Sequence, residues 1–263
     1  MVRWIGSCLF LLLPFLAAAQ GDFCGERNTA FRDGEMLTFK VYYNMGRLWV
    51  GAGTATFSTR ESTLNGRRVY HVVGDGRTYK SYEWFYKVRD RYESFIDAET
   101  MLPLKFIRNV NEGGYKIYNN VSFNRSINQA VSTNGVFQVP GCVQDVLSAI
   151  YYARNIDYDK YQPGAKIPFT LFLDDEVYKL HIRYLGKETI KTRYGTFKTI
   201  KISPMLIEGT IFKGGDKMMV WVSDDKNKVP VRVDSPIVVG SIKVDLIGFE
   251  NLRNPFTAFL KKN

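Results

Sequence analysis

Histidine and cysteine are scarce in this chain, and that scarcity removes whole classes of chemistry. There are two histidines, His71 and His181, and three cysteines, Cys8, Cys24 and Cys142. A protein zinc site takes three or four well-placed ligands, so two histidines with distant cysteines make a poor set, and no metal or other cofactor is expected. His71 falls in an alternating stretch at residues 69–74 and His181 in another at 177–187. Each reads as an ordinary strand residue, not a general base. There is no G-x-x-x-x-G-K-[ST] phosphate loop, since Gly214-Gly215-Asp216-Lys217 lacks both the spacing and the hydroxyl residue. No H-E-x-x-H metal helix and no G-x-S-x-G nucleophile elbow occur. The carboxylate pairs Asp174-Asp175 and Asp224-Asp225 sit in turn-like stretches, where Asp bonds the nearby backbone. That reading outweighs glycosidase or calcium chemistry. No run of five Lys or Arg occurs and no second long apolar run follows residue 19. The absences together favour a non-enzymatic protein.

What is present begins with a leader. Arg3 supplies a positive start, residues 5–16 are apolar except for Gly6, Ser7 and Pro14, and Ala17-Ala18-Ala19 closes the run with small side chains. This is the pattern of a secretory signal peptide, residues 1–19, with cleavage after Ala19. Its apolar run is shorter than the ~20 residues that span a bilayer. The mature chain is therefore expected to fold outside the cytosol, periplasmic or extracellular in a Gram-negative bacterium, with no transmembrane segment after cleavage. That compartment excludes roles that need cytosolic ATP or NAD, and it permits disulfides. Cys8 leaves with the leader, so Cys24 and Cys142 form the one possible pair. Their bond would close a loop of about 120 residues, which chain entropy values at ~4 to 5 kcal/mol. Whether the two Cα atoms approach is not legible in the sequence. Neither cysteine fits a lipoprotein signal, because Cys24 follows Gly21-Asp22-Phe23 in place of a Leu-small-small triplet.

The formal charge is +10. Outside the cytosol it suits anionic partners, such as phospholipid head groups, lipopolysaccharide, acidic glycans or released nucleic acid. A generally basic soluble surface is the alternative, because the positive residues are interspersed with acids. The content of hydrophobic (45%) and aromatic (14%) residues suits a folded, β-rich chain.

Period-two alternation between Gly, Asn and Asp boundaries predicts half-buried antiparallel strands. They fall at residues 36–43, 49–59, 69–74, 88–96, 103–110, 115–124, 129–134, 166–173, 177–187, 196–204, 210–212, 218–223, 229–234 and 242–250. One helix is predicted at residues 143–154, where apolar positions 143, 146, 147, 150 and 151 follow helical spacing after Pro140-Gly141. Its apolar stripe is expected to face the concave side of the sheet. Residues 20–32 read as an N-terminal extension, 33–253 as a single domain and 254–263 as a loose tail. A weak echo links the halves: Asp97 precedes Pro103 by six residues, as Asp224 precedes Pro230. It reads either as coincidence or as two similar hairpins, each with Pro at a strand start where its missing N–H costs no ladder bond.

Two constellations carry a binding reading. Tyr79, Tyr82, Trp84, Phe85 and Tyr86 crowd between Lys80 and Lys87, with Ser81 placed to cap a short helical turn. They either gate an apolar cavity with a basic rim or plug one end of the sheet. Arg89, Arg91 and Glu93 alternate onto one face, leaving Asp90 and Tyr92 on the other, where an interior Asp90 needs a partner. Ion pairing within the fold is the alternative to ligand binding for Arg89 and Arg91.

Several separated runs share an order with a known family: DGEMLTF at residues 33–39, YKVRDRYES at 86–94, QDVLSAIYY at 144–152, Glu188-Thr189 with Tyr194-Gly195-Thr196-Phe197, and WVSDD at 221–225 with VPV at 229–231. Together they resemble DUF3108, a family of exported bacterial proteins of unknown function. The leader and composition resemble those of members from Bacteroidetes-type bacteria. The resemblance implies a mainly β fold, a long curved antiparallel sheet cupping a central helix like the LolA-like lipoprotein-carrier half-barrels. It supplies no catalytic residues, and nothing in the chain supports the nuclease label that some such proteins have carried. The first expectation is a periplasmic binder or carrier whose half-barrel accepts a lipid-like or amphiphilic envelope component in a mainly apolar pocket between sheet and helix. The second is a structural or assembly factor that binds envelope proteins or glycans by its surface. A hydrolase comes third, and it requires His71 or His181 within reach of a Ser or carboxylate.

Overall fold

A computed structural model describes residues 23–45, 48–84, 86–208, 213–237 and 240–263. The expected leader, Phe85 and the expected strand at 210–212 lie outside the described residues. The first eight strands are β1 (Met36–Met45), β2 (Leu48–Leu64), β3 (Arg67–Thr78), β4 (Arg89–Asp97), β5 (Pro103–Glu112), β6 (Tyr115–Asn124), β7 (Gln129–Ser132) and β8 (Gly135–Gln138). Helix α1 (Val146–Ala153) follows. Then come β9 (Lys166–Leu173), β10 (Glu176–Lys191), β11 (Gly195–Pro204), β12 (Leu206–Glu208), β13 (Lys213–Gly215), β14 (Met219–Ser223), β15 (Pro230–Pro236), β16 (Ser241–Glu250) and β17 (Phe259–Lys262). All but β12 and β13 belong to one antiparallel sheet, in the order β8-β7-β6-β5-β4-β3-β2-β1-β16-β15-β14-β11-β10-β9, with β17 added to β11. Among the described residues the ends of this path, β8 and β9, are not paired with each other, and the sheet does not close into a barrel there.

Tight hairpins set the register. Asn65-Gly66 and Asp174-Asp175 both hold positive φ at two successive residues. Two-residue turns of this hand match the twist of the flanking strands, and Asn, Asp and Gly tolerate the conformation. The two hairpins read as an echo each place an Asp at the turn. Asp97 Oδ1 accepts from the N–H groups of Glu99 and Thr100 at 3.0 Å, and Asp225, not Asp224, does so for Asn227 at 3.0 Å.

The helix starts three residues later than its periodicity predicts. Gln144 continues as extended chain, donating its N–H to Thr170 and accepting from Phe172, each at 2.9 Å. Val143 packs with Phe172 in a core separate from that of the helix. Asp145 then caps α1: its Oδ1 accepts from Ser148 N at 2.8 Å, and Ser148 Oγ accepts from Asp145 N at 2.8 Å. Such a reciprocal cap satisfies two N–H groups that the helix leaves orphaned. The other carboxylate oxygen accepts from Ser94 on β4 at 2.6 Å, so the cap also ties helix to sheet.

The space between α1 and the sheet is filled by the protein's own side chains. Leu147, Tyr151 and Tyr152 pack against Tyr70 and Val72 of β3, Ile96 of β4, and Ile167, Phe169, Ile182, Ile200 and Ile202 of β9–β11. Phe106, Val121, Phe123 and Ala130 from β5–β7 share a second core with Phe172 of β9. Strands far apart in the path therefore meet over shared apolar cores. At the end of the helix Arg154 is fully paired: Nη1 and Nη2 donate to the two carboxylate oxygens of Glu35 at 2.6 and 2.8 Å, and Nε donates to Asn227 O at 3.1 Å.

The first described residues are anchored to the core, and the C-terminal tail is more ordered than the sequence suggested. Phe23 stacks between Tyr152 and Phe169, with ring centroids 4.7 Å from each. Cys24 and Cys142 form a disulfide with Cα atoms 5.4 Å apart. Residues 254–263 are not loose. Phe259–Lys262 pairs with β11, and Phe256 and Phe259 join Phe197, Phe249 and Tyr194 in an aromatic cluster. The burial of these rings against strands distant in sequence holds the tail.

Candidate functional site

Alternation along β2–β5 brings polar side chains to the sheet face opposite α1. Cross-strand pairing sets Thr54 opposite Arg77, Thr56 opposite Asp75, Asp75 opposite Arg91, Arg77 opposite Arg89, and Arg91 opposite Asn109. With Asn111 these residues line a groove of about 590 Å³, the larger of two cavities described. Gly53 lets β2 run close against β3 here, because a Cβ on it would stand 2.3 Å from the Arg77 carbonyl oxygen.

The arginines differ in how they are held. Arg91 Nη1 donates to both oxygens of Asp75 at 3.2 and 3.0 Å, and its Nε donates to Glu93 at 2.9 Å. Arg89 donates to Glu83 and to the carbonyls of Thr78 and Val88 at 3.1 and 2.9 Å. The Arg77 guanidinium is exposed and has no hydrogen-bond or ion-pair partner among the described residues. The groove thus presents one uncommitted cation beside two that are braced in place, with Thr and Asn side chains as neutral donors.

Asp90, between Arg89 and Arg91 on β4, also contributes to the groove lining. It accepts from Asn111 N at 3.1 Å and shares a hydrogen bond with the buried carboxyl of Glu112. The partner an interior Asp90 needs is thus a second acid. Burial, followed by the charge of Glu112, pushes Asp90 up to about 7. The folded chain holds a proton there that an unfolded Asp, titrating near ~3.9, has lost by pH 5. The contribution of Asp90 to stability is therefore fully present below about 4 and is lost as pH rises through about 7. Asp145, pushed up to about 6 by burial, acts in the same sense. Asp90→Asn is expected to stabilise the protein at pH 8 relative to its effect at pH 5 by about 1 to 2 kcal/mol, less than the full linkage value because water screens a half-exposed group. Urea unfolding of both proteins at the two pH values measures it, and a pH-independent difference contradicts it.

Of the seven residues singled out from the sequence as ligand-binding, Arg89 and Arg91 line the groove. Tyr79, Tyr82, Trp84 and Tyr86 line neither cavity and join none of the three apolar cores, and Phe85 lies outside the described residues. A 3-10 turn, Lys80–Tyr82, does form here, but Ser81 sits within it and its cap position, Tyr79, makes no side-chain cap. Trp84 is 83% exposed and Tyr86 40%. Asp75, Arg77, Asn109 and Asn111 are groove residues that the sequence did not single out. Polar alternation marks each within its strand, but only the pairing register joins them.

The smaller cavity, about 150 Å³, lies beside the disulfide and is lined by Phe23, Cys24, Tyr152 and Lys160 among others. His71 Nε2 lies 2.8 Å from Glu93 Oε2, the contact that a hydrolase requires, but the same carboxylate is held by Arg91 and the imidazole stacks on Phe95 at 4.3 Å. Burial raises Glu93, but the hydrogen bonds from Arg91 and His71 outweigh it and hold the carboxyl below its ordinary range. His71 lines neither cavity, and no hydroxyl bonds its ring among the described residues. Among the described residues no cluster of three or more His, Cys, Asp or Glu is placed to hold a metal ion, and no helix is long and apolar enough to cross a membrane.

The chain is similar in fold to a β-barrel-like protein of the domain of unknown function DUF1849 from Brucella abortus, with a TM-score of 0.55, 8% identity, and 84% of this chain and 99% of that one covered. It also matches a Parabacteroides distasonis protein, at a TM-score of 0.39 and 13% identity over 85% of this chain and all (100%) of that one. A Bacteroides fragilis protein with a YmcC-like fold matches at 0.35 and 12% identity over 86% of this chain and 100% of that one. No curated protein matches the chain. The model of a family of unknown function matches residues 38–247.

Proposed function

We propose, for a chain that belongs to the DUF3108 family of proteins of unknown function, a non-enzymatic binding role in the cell envelope, in which the groove of Arg77, Arg89 and Arg91 holds the anionic head group of an amphiphilic envelope component. The observation that carries this reading is the groove itself: the larger cavity described is lined by Thr, Asn, Asp and Arg side chains and edged by a guanidinium without a partner among the described residues. The side chains that fill the space between α1 and the sheet support a site on the opposite, open face. We read the sheet as a half-barrel about the helix, supported by the core that β5–β7 share with β9. The leader at residues 1–19 supports a periplasmic or extracellular location.

Isothermal titration calorimetry with lysophosphatidylglycerol below its micelle concentration, and with glycerophosphate and a fatty acid as separate arms, tests the reading and tells a phosphate from a carboxylate head group. Binding to the wild-type chain should fall at least about tenfold in Arg77→Gln, the loss of one charge-assisted hydrogen bond. Absence of heat in every arm sinks the reading. That outcome would favour a structural or assembly role at the protein surface, for which the filled interior and the exposed Leu48 and Trp84 are the supporting observations.

A further inference from the structure

Three segments are stitched side by side at one end of the sheet. The stretch joining β3 to β4 bonds to β2 through Tyr79 N to Ala52 O at 2.9 Å, and to the β5–β6 turn through Gly113 N to Lys87 O at 2.9 Å. Tyr86 lies over that turn, so close that a Cβ on Gly113 would stand 2.6 Å from its ring. From this end project Leu48, 70% exposed, Trp84, 83%, and Tyr115, 53%, with the less exposed Tyr86 among them. Exposed Lys80, Lys87 and Lys116 flank them, while of the acids here Glu83 is bound to Arg89 and the buried Glu112 shares a hydrogen bond with Asp90.

Aliphatic tips, amphipathic Trp and Tyr rings and a collar of Lys form the composition that rests in the boundary between bilayer and water. The absence of an uncommitted acid gives that collar an attraction to negative lipid. We infer that this end of the sheet, through Leu48, Trp84, Tyr86 and Tyr115, seats on an anionic phospholipid bilayer surface. The inference rests on the exposed rim alone and holds whichever anion the groove takes. It assigns the aromatic cluster a role that neither a cavity gate nor a core plug provides.

The test uses the leader-cleaved chain with Trp49→Phe and Trp221→Phe, which leaves Trp84 as the fluorophore, and vesicles of phosphatidylethanolamine with or without phosphatidylglycerol. Binding to the anionic vesicles should shift Trp84 emission to the blue, and brominated acyl chains should quench it. In the wild-type background, Lys80→Gln with Lys87→Gln should weaken co-sedimentation roughly thirtyfold, from about 1 kcal/mol per charge near the surface. Trp84→Ser with Leu48→Ser, both at exposed positions, should weaken it as well. Equal binding to neutral vesicles, no binding at all, or binding unaffected by the rim variants overturns the inference. Sedimentation without quenching assigns the lipid to the groove alone and also overturns it, whereas quenching with no calorimetric response to soluble head groups refutes only the groove reading.

Discussion

Arg154→Ala should lower the unfolding free energy by about 3 to 5 kcal/mol, the cost of leaving one member of a buried ion pair without the other. Arg154 is 2% exposed and Glu35 1%. The guanidinium links the end of α1 to the residue before β1, to the carbonyl of Asn227 in the β14–β15 turn, and by ring contact to Phe31 and Tyr151 at 5.5 and 5.2 Å. Its removal strands the Glu35 charge in a site closed to water. Arg154→Lys should recover only part of the loss, because a compact ammonium cannot bridge both carboxylate oxygens and the Asn227 carbonyl as a planar fork does. At ~2 to 4 °C per kcal/mol for a chain of this size, the melting temperature of the alanine variant should fall by roughly 10 °C. A loss below about 1 kcal/mol would show that the pair contributes no more than exposed pairs do.

The second large effect belongs to the disulfide. Cys24 and Cys142 are separated by 118 residues, and the chain-entropy relation assigns a loop of that length ~4 to 5 kcal/mol. Cys24→Ser with Cys142→Ser should therefore destabilise the protein by a comparable amount in guanidinium. The variant should also expose residues 23–33 to protease well before the core, because Phe23 would keep its place only by stacking on Tyr152 and Phe169 and by its carbonyl accepting from Gln144. Unchanged denaturation and unchanged proteolysis in the double variant would mean that packing alone fixes the segment.

The strand framework was legible wherever one face is buried and the other wet. Residues 166–173 read directly as β9, and residues 177–187 as the centre of β10. The Asp-Asp turn between them was visible as a turn because Asp bonds its own backbone and tolerates positive φ. Elements held by distant partners were not legible. The four residues of β8 are too few to show a period, and Gln144 looks helical until Thr170 and Phe172 present a strand edge to it. The tail looked loose because its rings find Phe197 and Phe249 only in three dimensions. The same divide runs through the site. Alternation alone puts Arg89 and Arg91 on one face, but Arg77, Asp75 and Asn109 join them through the register of β3, β4 and β5. The aromatic cluster was conspicuous in the sequence, and its exposure could not be read there, because period-two logic stops where the strand stops.

Backbone chemical-shift mapping with lysophosphatidylglycerol below its micelle concentration tests most directly whether the ligand is held in the outer groove and not in the filled interior. Shifts confined to the groove, at Thr56, Arg77, Arg91 and Asn109, with Leu147 and Tyr151 undisturbed, are the predicted result. Shifts centred on Leu147, Tyr151 and their partners on β9–β11, with the groove silent, would contradict it.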